Sequence, residues 1–327
     1  MSTLENIKKD LGSSLEKLNA RIIEHSGSPN NLLNDVSEYF LQKKGKQIRP
    51  ILTLLLASLF ENPNQNTIDG AAAIELLHSA SLLHDDVVDQ SDMRRGLPTV
   101  NKLWGNQIAV LVGDFFVTSA LALAVDTGDL RIVGAINRLG RRLAIGELDQ
   151  INNVRTSILD REAYLKMIER KTASLFAACS QIACFSIGAE GPKAEAVEEF
   201  ARLMGICFQI KDDTFDYLPD FAEQLGKPVG ADLMEGKISL PLLHVLLTER
   251  QNGNEEIVEM ALKEEKSPEE VNYLLNYAVE KGGMEYSLRF MDGLYEKAEK
   301  LLTANFPATP TRQHLLTLFR YVIDREK

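Results

Sequence analysis

One acidic pattern occurs twice in the sequence, each time at the end of an apolar segment, with acids at positions i, i+1 and i+4. The six residues are Asp85, Asp86, Asp89, Asp212, Asp213 and Asp216. On a helix, residues four apart lie one above the other, so Asp85 and Asp89 project from one face. Like charges at this spacing repel each other. The pattern therefore predicts that a cation, either a metal ion or a nearby arginine, lies among these carboxylates.

The residue types around these acids favour a hard divalent cation. Carboxylate oxygens without nearby cysteine and with few histidines suit Mg²⁺, with Mn²⁺ as the alternative. Mg²⁺ usually binds through one or two carboxylates, several waters and substrate phosphates, which indicates a phosphorylated substrate. Zinc is not expected, because His78 and His84 lack further Cys or His residues at metal-ligand spacing. One acidic motif alone is more often a solvated helix face, but two copies favour a shared cleft with apolar walls.

Basic residues follow both acidic motifs and occur in two further short segments. They are Lys46, Arg49, Arg94, Arg95, Lys171, Lys227 and Lys237. Each of these side chains alone is more often a solvated surface charge. Gathered around one cleft, they would bind phosphate, arginine through its planar fork and lysine as a point charge.

Long apolar segments with the helical period carry these motifs. Such segments are residues 51–60, 71–83, 115–125, 200–210 and 240–247. They are too long for single strands and are rich in Ala and Leu. Short breaks with turn residues separate them, and the SPEE segment predicts a helix capped by Ser267 and Glu270. With no linker, low-complexity tract or fixed-period repeat, residues 1–327 are predicted to form one all-α domain of ten or more helices.

Composition restricts the classes of partner and the compartment. The chain has 327 residues, 45% of them hydrophobic, and a formal net charge of −11, which argues against general binding of nucleic acid or anionic lipid. The three cysteines show no CxxC spacing and lie in apolar segments, as core thiols do in a reducing compartment. The amino-terminal residues show no secretory signal, and the uncharged stretch 173–189 predicts a buried helix rather than a membrane span. A cytoplasmic location is therefore expected.

Five motifs, taken in order, resemble those of the trans-polyprenyl diphosphate synthases, which are class I isoprenoid chain elongators. The motifs are GKQIRP, LLHDDVVDQSDMRRG, the KT of ERKTASLF, FQIKDDTFDY and GKPVGADLMEGKISLP. The resemblance covers roughly residues 40–245 and is greatest to long-chain members of the octaprenyl type. It implies a helical bundle of the isoprenoid-synthase type around a deep central cavity. It also implies a homodimer that needs Mg²⁺ and no organic cofactor.

The resemblance implies a role for each motif residue. Metal ions are bound by Asp85, Asp89 and Asp212, supported by Asp86, Asp213 and Asp216. The allylic diphosphate, farnesyl or similar, is held by Arg94, Lys171, Gln209 and Lys237. Isopentenyl diphosphate is held by Lys46, Arg49, His78 and Arg95. Further substrate contacts come from Thr172 and Lys227. The residues expected to act in catalysis itself are Asp85, Asp89, Arg94, Lys171, Asp212 and Lys237.

The resemblance also implies a chemical course. The allylic diphosphate ionises, the isopentenyl double bond attacks the cation, and a proton leaves, with the released diphosphate as the base. Backbone carbonyls near Lys171 and Thr172, together with Gln209, would direct dipoles toward the cation. His78 has an alternative interpretation as a core histidine.

Product length is expected to depend on the residues that precede Asp85. In the family, a bulky side chain four or five positions before the first aspartate ends elongation early, and here those positions are the small Ser81 and Ala80. The hydrocarbon tail would continue past Leu77 and Ile74. It would end against one of two phenylalanines, Phe115 or Phe116. The alternative is that these residues are small only to let helices pack closely. The expected product is in the hexaprenyl to decaprenyl range, with octaprenyl at its centre.

Three other functions remain open from the sequence. A terpene cyclase would share the fold and the first acidic motif, but its second metal motif usually has an Asn/Asp, Ser/Thr, Glu pattern. A noncatalytic subunit of a heteromeric synthase typically lacks an acidic motif, whereas this chain retains both. A structural helical scaffold would leave the joint placement of acids and bases unexplained.

Overall fold

The chain folds almost entirely into α-helices, as the periodicity predicts. A computed structural model describes residues 3–42, 45–156, 159–218 and 229–326. Within these ranges the helices are α1 Thr3–Ser26, α2 Asn31–Gln42, α3 Ile48–Ala57, α4 Gln65–Val88, α5 Val100–Trp104, α6 Asn106–Asp126, α7 Leu130–Thr156, α8 Arg161–Ile168, α9 Ser174–Ser186, α10 Pro192–Phe215, α11 Ala231–Met234, α12 Leu240–Gln251, α13 Glu255–Leu262, α14 Pro268–Glu280, α15 Gly283–Asn305 and α16 Pro310–Asp324. A π-helix, Glu169–Ala173, joins α8 to α9. One antiparallel hairpin, β1 Met93–Arg94 and β2 Leu97–Pro98, follows α4.

Side-chain caps fix the beginnings of several helices. The predicted capping box of α14 is confirmed, because Ser267 N–H donates to Glu270 and the backbone of Glu270 donates to the Ser267 hydroxyl. A second box begins α4, where Asn64 and Thr67 cap each other. The amide of Asn64 also donates to the carbonyl of Ser186, at 2.6 Å. The start of α4 is therefore tied to the end of α9.

The central helices bury apolar side chains on nearly every face. Helix α9 lies in the main core and packs against α3, α4 and α10. Eleven of its residues are buried, which confirms the prediction of a buried helix within 173–189. Among the described residues, one helix, α6, has the length and apolar composition that could cross a membrane, and 44% of its apolar window is buried inside the protein.

A second, smaller core forms around α12, α13 and α14. Its fully buried members include Leu242, Leu246 and Leu274. Leu159 and Ile238 pack against both this core and the main one. The prediction that residues 1–327 form a single domain remains a prediction.

Both acidic motifs lie at the carboxyl ends of long helices. Helix α4 ends at Val88, with Asp89 as its C-cap, and α10 ends at Phe215, with Asp216 as its C-cap. Because both helices pack against α9, this buried helix supports the two motif-bearing helices together.

Candidate active site

The first acidic motif contains one carboxylate that is already paired with an arginine. Asp86 is buried, and the Nε of Arg94 lies 2.8 and 3.0 Å from its two oxygens, with Nη2 at 2.7 Å. Asp85 is half-buried and Asp89 is exposed at the end of the helix. The predicted pairing of this motif with a nearby arginine is therefore present at Asp86.

The short hairpin after α4 separates the two adjacent arginines. Its loop residues Arg95 and Gly96 both have positive φ, 53° and 74°, as a two-residue turn of type I′ requires. Arg94 turns to Asp86, whereas the guanidinium of Arg95 packs against the backbone of Gly45. A Cβ at Gly45 would lie 2.9 Å from Nη2 of Arg95, so any other residue would displace the guanidinium from this position. The hairpin thus places two neighbouring cations at different parts of the site.

A small cavity of about 50 Å³, with polar and apolar walls, lies beside Arg95. Its polar lining includes Glu75, His78 and Gln47. Burial and the charges of the surrounding arginines lower the pKa of His78 well below its usual value, so the ring is neutral near pH 7 and carries one donor and one acceptor nitrogen. The structure therefore places His78 at this cavity with Arg95, its predicted partner on isopentenyl diphosphate.

Arg49 lies beside a pair of packed aromatic rings, with its guanidinium carbon 5.6 Å from the ring centre of Phe176 and 5.3 Å from that of Phe208. Burial lowers the pKa of Arg49, and the carboxylates of Glu75 and Asp212 oppose this shift. The guanidinium remains charged, because arginine does not lose its proton in proteins. The positive charge of Arg49 therefore lies near Glu75 on α4 and near Asp212 of the second acidic motif.

Several buried polar atoms around Arg49 have no hydrogen-bond partner among the described residues. They are Arg49 Nε, Glu75 Oε2, His78 Nδ1 and Arg325 Nε. Buried polar groups are normally paired, so such a group of atoms indicates a polar ligand or ordered water at this place. Lys46, over the ring of Tyr321 at 5.4 Å, adds a further cation.

The second acidic motif contains a buried hydrogen-bond network that the sequence did not predict. Tyr164 donates to Oδ2 of Asp213 at 2.5 Å, and the amide of Gln209 donates to Oδ1 at 2.7 Å. The hydroxyl of Thr172 donates to the amide oxygen of Gln209, also at 2.5 Å. Both oxygens of Asp213 and both ends of the Gln209 amide therefore have protein partners.

Two carboxyls of the second motif hold their protons more tightly than usual. Burial raises the pKa of Asp213 to about 7, against the hydrogen bonds from Tyr164 and Gln209. Burial and the nearby carboxylate of Asp232 raise the pKa of Asp216 to about 6. A cation beside these groups would lower both pKa values, because positive charge favours the ionised carboxylate.

Asp212 pairs with a residue outside all five motifs. Arg325, the C-cap of α16, donates from Nη2 to Asp212 Oδ1 at 2.7 Å and to the carbonyl of Phe208 at 2.9 Å. The two charged residues are 113 positions apart in the chain. No local spacing pattern joins them, so sequence reasoning could not find this pair.

Lys237 links the regions of the two acidic motifs. Its ammonium group lies 2.6 Å from Glu235 and interacts electrostatically with Asp232 and with Asp89 of the first motif. Asp232 in turn acts on Asp213 and Asp216. Lys237 therefore lies near Asp89 of the first motif and, through Asp232, near the second motif.

The π-helix contains the KT pair of the third motif. A π-turn leaves the regular i→i−4 bonding and is frequent at functional sites. Gly205 of α10 packs directly against it, since a Cβ there would lie 2.6 Å from the Cα of Ala173. The side chain of Lys171 and the whole of Lys227 lie outside the described residues.

Comparisons with known proteins identify the family. The family model for polyprenyl synthetase matches residues 30–278. The chain is 34% identical over 329 residues to the octaprenyl diphosphate synthase of Escherichia coli, with 99% of each chain covered. The chain belongs to the polyprenyl synthetase family. It is a prenyltransferase, as the five motifs predict.

Solved structures of polyprenyl synthetases share the whole fold. One is a polyprenyl synthase from Caulobacter crescentus in complex with calcium and isoprenyl diphosphate, with a TM-score of 0.90, 31% identity, and coverage of 99% of this chain and 98% of that one. Another is a geranylgeranyl pyrophosphate synthase from Bacteroides thetaiotaomicron, with a TM-score of 0.84, 33% identity, and coverage of 99% and 100%. These two likenesses confirm the predicted isoprenoid-synthase fold class.

The acids of this polyprenyl synthetase fit a divalent cation that shares its ligands with a substrate. Within the described part of the chain, no three His, Cys, Asp or Glu residues converge to hold a metal ion. Mg²⁺ rarely requires a cage made only of protein, because it keeps waters and binds substrate phosphates as well. The oxygen donors of the two motifs suit such a shared site.

The predicted chain-length residues line α4 below the first motif. Ile74 and Ala80 are fully buried and Leu77 nearly so, whereas Ser81 is half-buried and donates to the carbonyl of His78 at 2.8 Å. Helix α4 packs against α6, on which Phe116 is fully buried and Phe115 partly so.

His84, to which the sequence assigned no role, packs on α6. A Cβ at Gly113 would lie 2.3 Å from its Nε2, and that nitrogen is 3.3 Å from the carbonyl of Val110. Its position is explained by contact between two helices.

Proposed function

We propose that the protein condenses isopentenyl diphosphate with an allylic diphosphate to form a long-chain all-trans polyprenyl diphosphate. The observation that carries the proposal is the presence of two differently built anion sites close together. One contains acids that suit a bridging cation, and the other is rich in cations, which lie beside the neutral His78 and the single buried carboxylate of Glu75. A reaction between two diphosphates, only one of which must ionise, needs this asymmetry.

The cation-rich site is assigned to isopentenyl diphosphate. Arg49 and Lys46 lie on and before α3, and Arg95 and His78 line the small cavity beside them. The buried Arg49 Nε and His78 Nδ1 have no partner within the described ranges and would be satisfied by diphosphate oxygens. This site holds its ligand by direct charge-assisted hydrogen bonds.

The acidic site is assigned to the allylic diphosphate. Asp85, Asp89 and Asp212 supply oxygen ligands, while Arg94 and Lys237 supply cations on the same side. A bound divalent cation, Mg²⁺ or Mn²⁺, would neutralise the charge that grows on the departing diphosphate. Asp86 and Asp213 serve chiefly to orient Arg94 and Gln209, because their oxygens accept hydrogen bonds from these side chains.

The proposed reaction has three bond changes. The carbon–oxygen bond of the allylic diphosphate breaks, and the double bond of isopentenyl diphosphate attacks the allylic cation to form the new carbon–carbon bond. The resulting tertiary cation loses a proton to the released diphosphate. The protein excludes water with the apolar side chains of α4 and directs peptide dipoles of the π-helix and the carbonyl of Gln209 to this region.

The product is assigned to the hexaprenyl to decaprenyl range, with octaprenyl at its centre. Relatives named for octaprenyl and heptaprenyl synthesis support this range, whereas the Bacteroides thetaiotaomicron enzyme is named for geranylgeranyl. Overall likeness therefore does not decide product length, and the small Ala80 and Ser81 carry the assignment.

The protein is further proposed to act as a homodimer in the cytoplasm. Helix α6 exposes Val110, Leu111 and Val125, and Leu130 is exposed just beyond it. Large apolar side chains exposed near both ends of one helix favour an interface over a solvated face. The cysteines Cys179, Cys184 and Cys207 are free and buried, which fits a reducing compartment.

Single substitutions should separate the two diphosphate sites. Arg49→Ala is expected to raise the KM for isopentenyl diphosphate by on the order of tenfold, because one charge-assisted hydrogen bond to diphosphate is lost. The KM for farnesyl diphosphate should change little. Arg94→Ala should do the reverse. Steady-state kinetics with each substrate varied in turn measures both constants.

The matched control is Arg131→Ala, which removes an exposed arginine that pairs with Asp129 away from the motifs. It should alter neither KM. If Arg49→Ala raised the KM for farnesyl diphosphate alone, the two sites would have been exchanged. If the unmodified protein did not incorporate isopentenyl diphosphate at all, the proposed function would be wrong.

A further inference from the structure

The carboxyl-terminal end of the chain returns to the second acidic motif. Helix α16 ends at Asp324, and the next residue, Arg325, places its guanidinium over the ring of Phe208, with its carbon 3.9 Å from the ring centre. Only 6% of the Arg325 side chain is exposed. Its Nη2 donates both to Asp212 and to the carbonyl of Phe208. Stacking and two hydrogen bonds therefore hold this arginine in one position.

Cations surround the carboxylate of Asp212. Arg325 makes the direct contact, and Arg49 and Lys46 act on the same carboxylate electrostatically. Lys211 interacts with Arg325 and Asp212 as well, and the carboxylates of Asp324 and Glu326 partly balance its charge. The carboxylate of Asp212 is therefore paired even without a metal ion.

Asp212 is also one of the proposed metal ligands. The guanidinium of Arg325 and a divalent metal ion would therefore compete for the same carboxylate. An oxygen that accepts a hydrogen bond from a guanidinium offers less negative charge to a metal ion, and the charge of Arg325 repels the metal ion directly. A metal ion that arrives with a diphosphate brings compensating negative charge. A metal ion alone does not.

We propose that Arg325 is a positioning residue that pairs with Asp212 in the metal-free enzyme and gives up this carboxylate when metal and diphosphate bind together. The inference rests on the proposed function, because it needs Asp212 as a metal ligand. It predicts that the free enzyme binds a divalent cation weakly at the second motif. Removal of Arg325 should therefore strengthen metal binding, an effect opposite in sign to that of general structural damage.

The test is a titration of the full-length protein with Mn²⁺ at pH 8, without substrate, followed by electron paramagnetic resonance of the free ion. Arg325→Ala is expected to bind Mn²⁺ about tenfold more tightly than the unmodified protein, the scale of losing one competing charge. Arg325→Lys keeps the charge and should stay near the unmodified value. A second titration with inorganic diphosphate present should reduce the difference between Arg325→Ala and the unmodified protein.

Control variants distinguish loss of the Arg325–Asp212 pair from a general loss of charge and from misfolding. Arg320→Ala removes an exposed arginine of the same helix, paired with Asp292 and Asp324, and should leave Mn²⁺ binding unchanged. If Arg325→Ala does not fold, judged by its thermal melt, Arg325→Gln carries the same expectation. Unchanged or weaker Mn²⁺ binding in the neutral variants would overturn the inference. If Asp212→Asn, added to Arg325→Ala, leaves the tighter Mn²⁺ binding of Arg325→Ala unchanged, the metal assignment in the proposed function fails instead.

Discussion

Asp85→Ala and Asp212→Ala are each expected to lower kcat by on the order of a hundredfold or more, the usual effect of removing a preorganised electrostatic stabiliser. Each variant removes an oxygen ligand from one acidic motif, where negative charge must be balanced as the diphosphate departs. Since this contact strengthens mainly in the transition state, kcat should fall at least as much as KM rises. Asp212→Ala also leaves Arg325 without its carboxylate partner.

The matched control for these variants is Asp92→Ala. Asp92 is an exposed aspartate three positions after Asp89, and its carboxylate lies 2.9 Å from Lys102. Its removal should leave kcat within about twofold, because exposed ion pairs contribute little. Chelation of divalent cations with EDTA should abolish turnover. Full activity in EDTA, or near-normal kcat in both Asp85→Ala and Asp212→Ala, would rule out the metal-assisted mechanism.

Ala80→Tyr is expected to shorten the product to farnesyl or geranylgeranyl length while the first condensation remains active. One turn of α4 rises about 5.4 Å, close to one extended isoprene unit, so a ring one turn below Asp85 should block elongation within a few steps. Ser81→Phe should act in the same direction. Chromatography of the dephosphorylated radiolabelled alcohols measures the product length.

Two controls separate a blocked path from a damaged core. Ala80→Ser keeps the side chain small and should leave product length unchanged. Ala80 is fully buried, so Ala80→Tyr is also expected to destabilise the fold by about 1–3 kcal/mol through overpacking, which a thermal melt would show. If Ala80→Tyr and Ser81→Phe were both active and made products of the original length, the hydrocarbon tail would not follow this face of α4.

Short-range sequence patterns were sufficient to predict the helices and the position of the acidic motifs at helix ends. The capping box at Ser267 depends on residues three positions apart, and the buried helix α9 follows from an uncharged stretch of sufficient length. Such features are encoded over a few turns, so the sequence contains them directly. The position of Asp89 at the end of α4 was predictable for the same reason.

The partners of the site residues could not be predicted in this way. Arg325 reaches Asp212 because α16 packs near α10, and Tyr164 reaches Asp213 because α8 does so. No pattern in the sequence marks either contact, because each joins residues that are far apart in the chain and depends on how whole helices pack. The separation of Arg94 from Arg95 depends on a two-residue turn whose conformation is visible only in the folded hairpin.

The central claim is tested most directly by incubating the purified protein with radiolabelled isopentenyl diphosphate, farnesyl diphosphate and Mg²⁺, and resolving the dephosphorylated alcohols by chain length. The expected result is a set of all-trans alcohols between hexaprenyl and decaprenyl, with octaprenyl most abundant. A product that stops at geranylgeranyl, or no incorporation of the label, would contradict a long-chain polyprenyl diphosphate synthase.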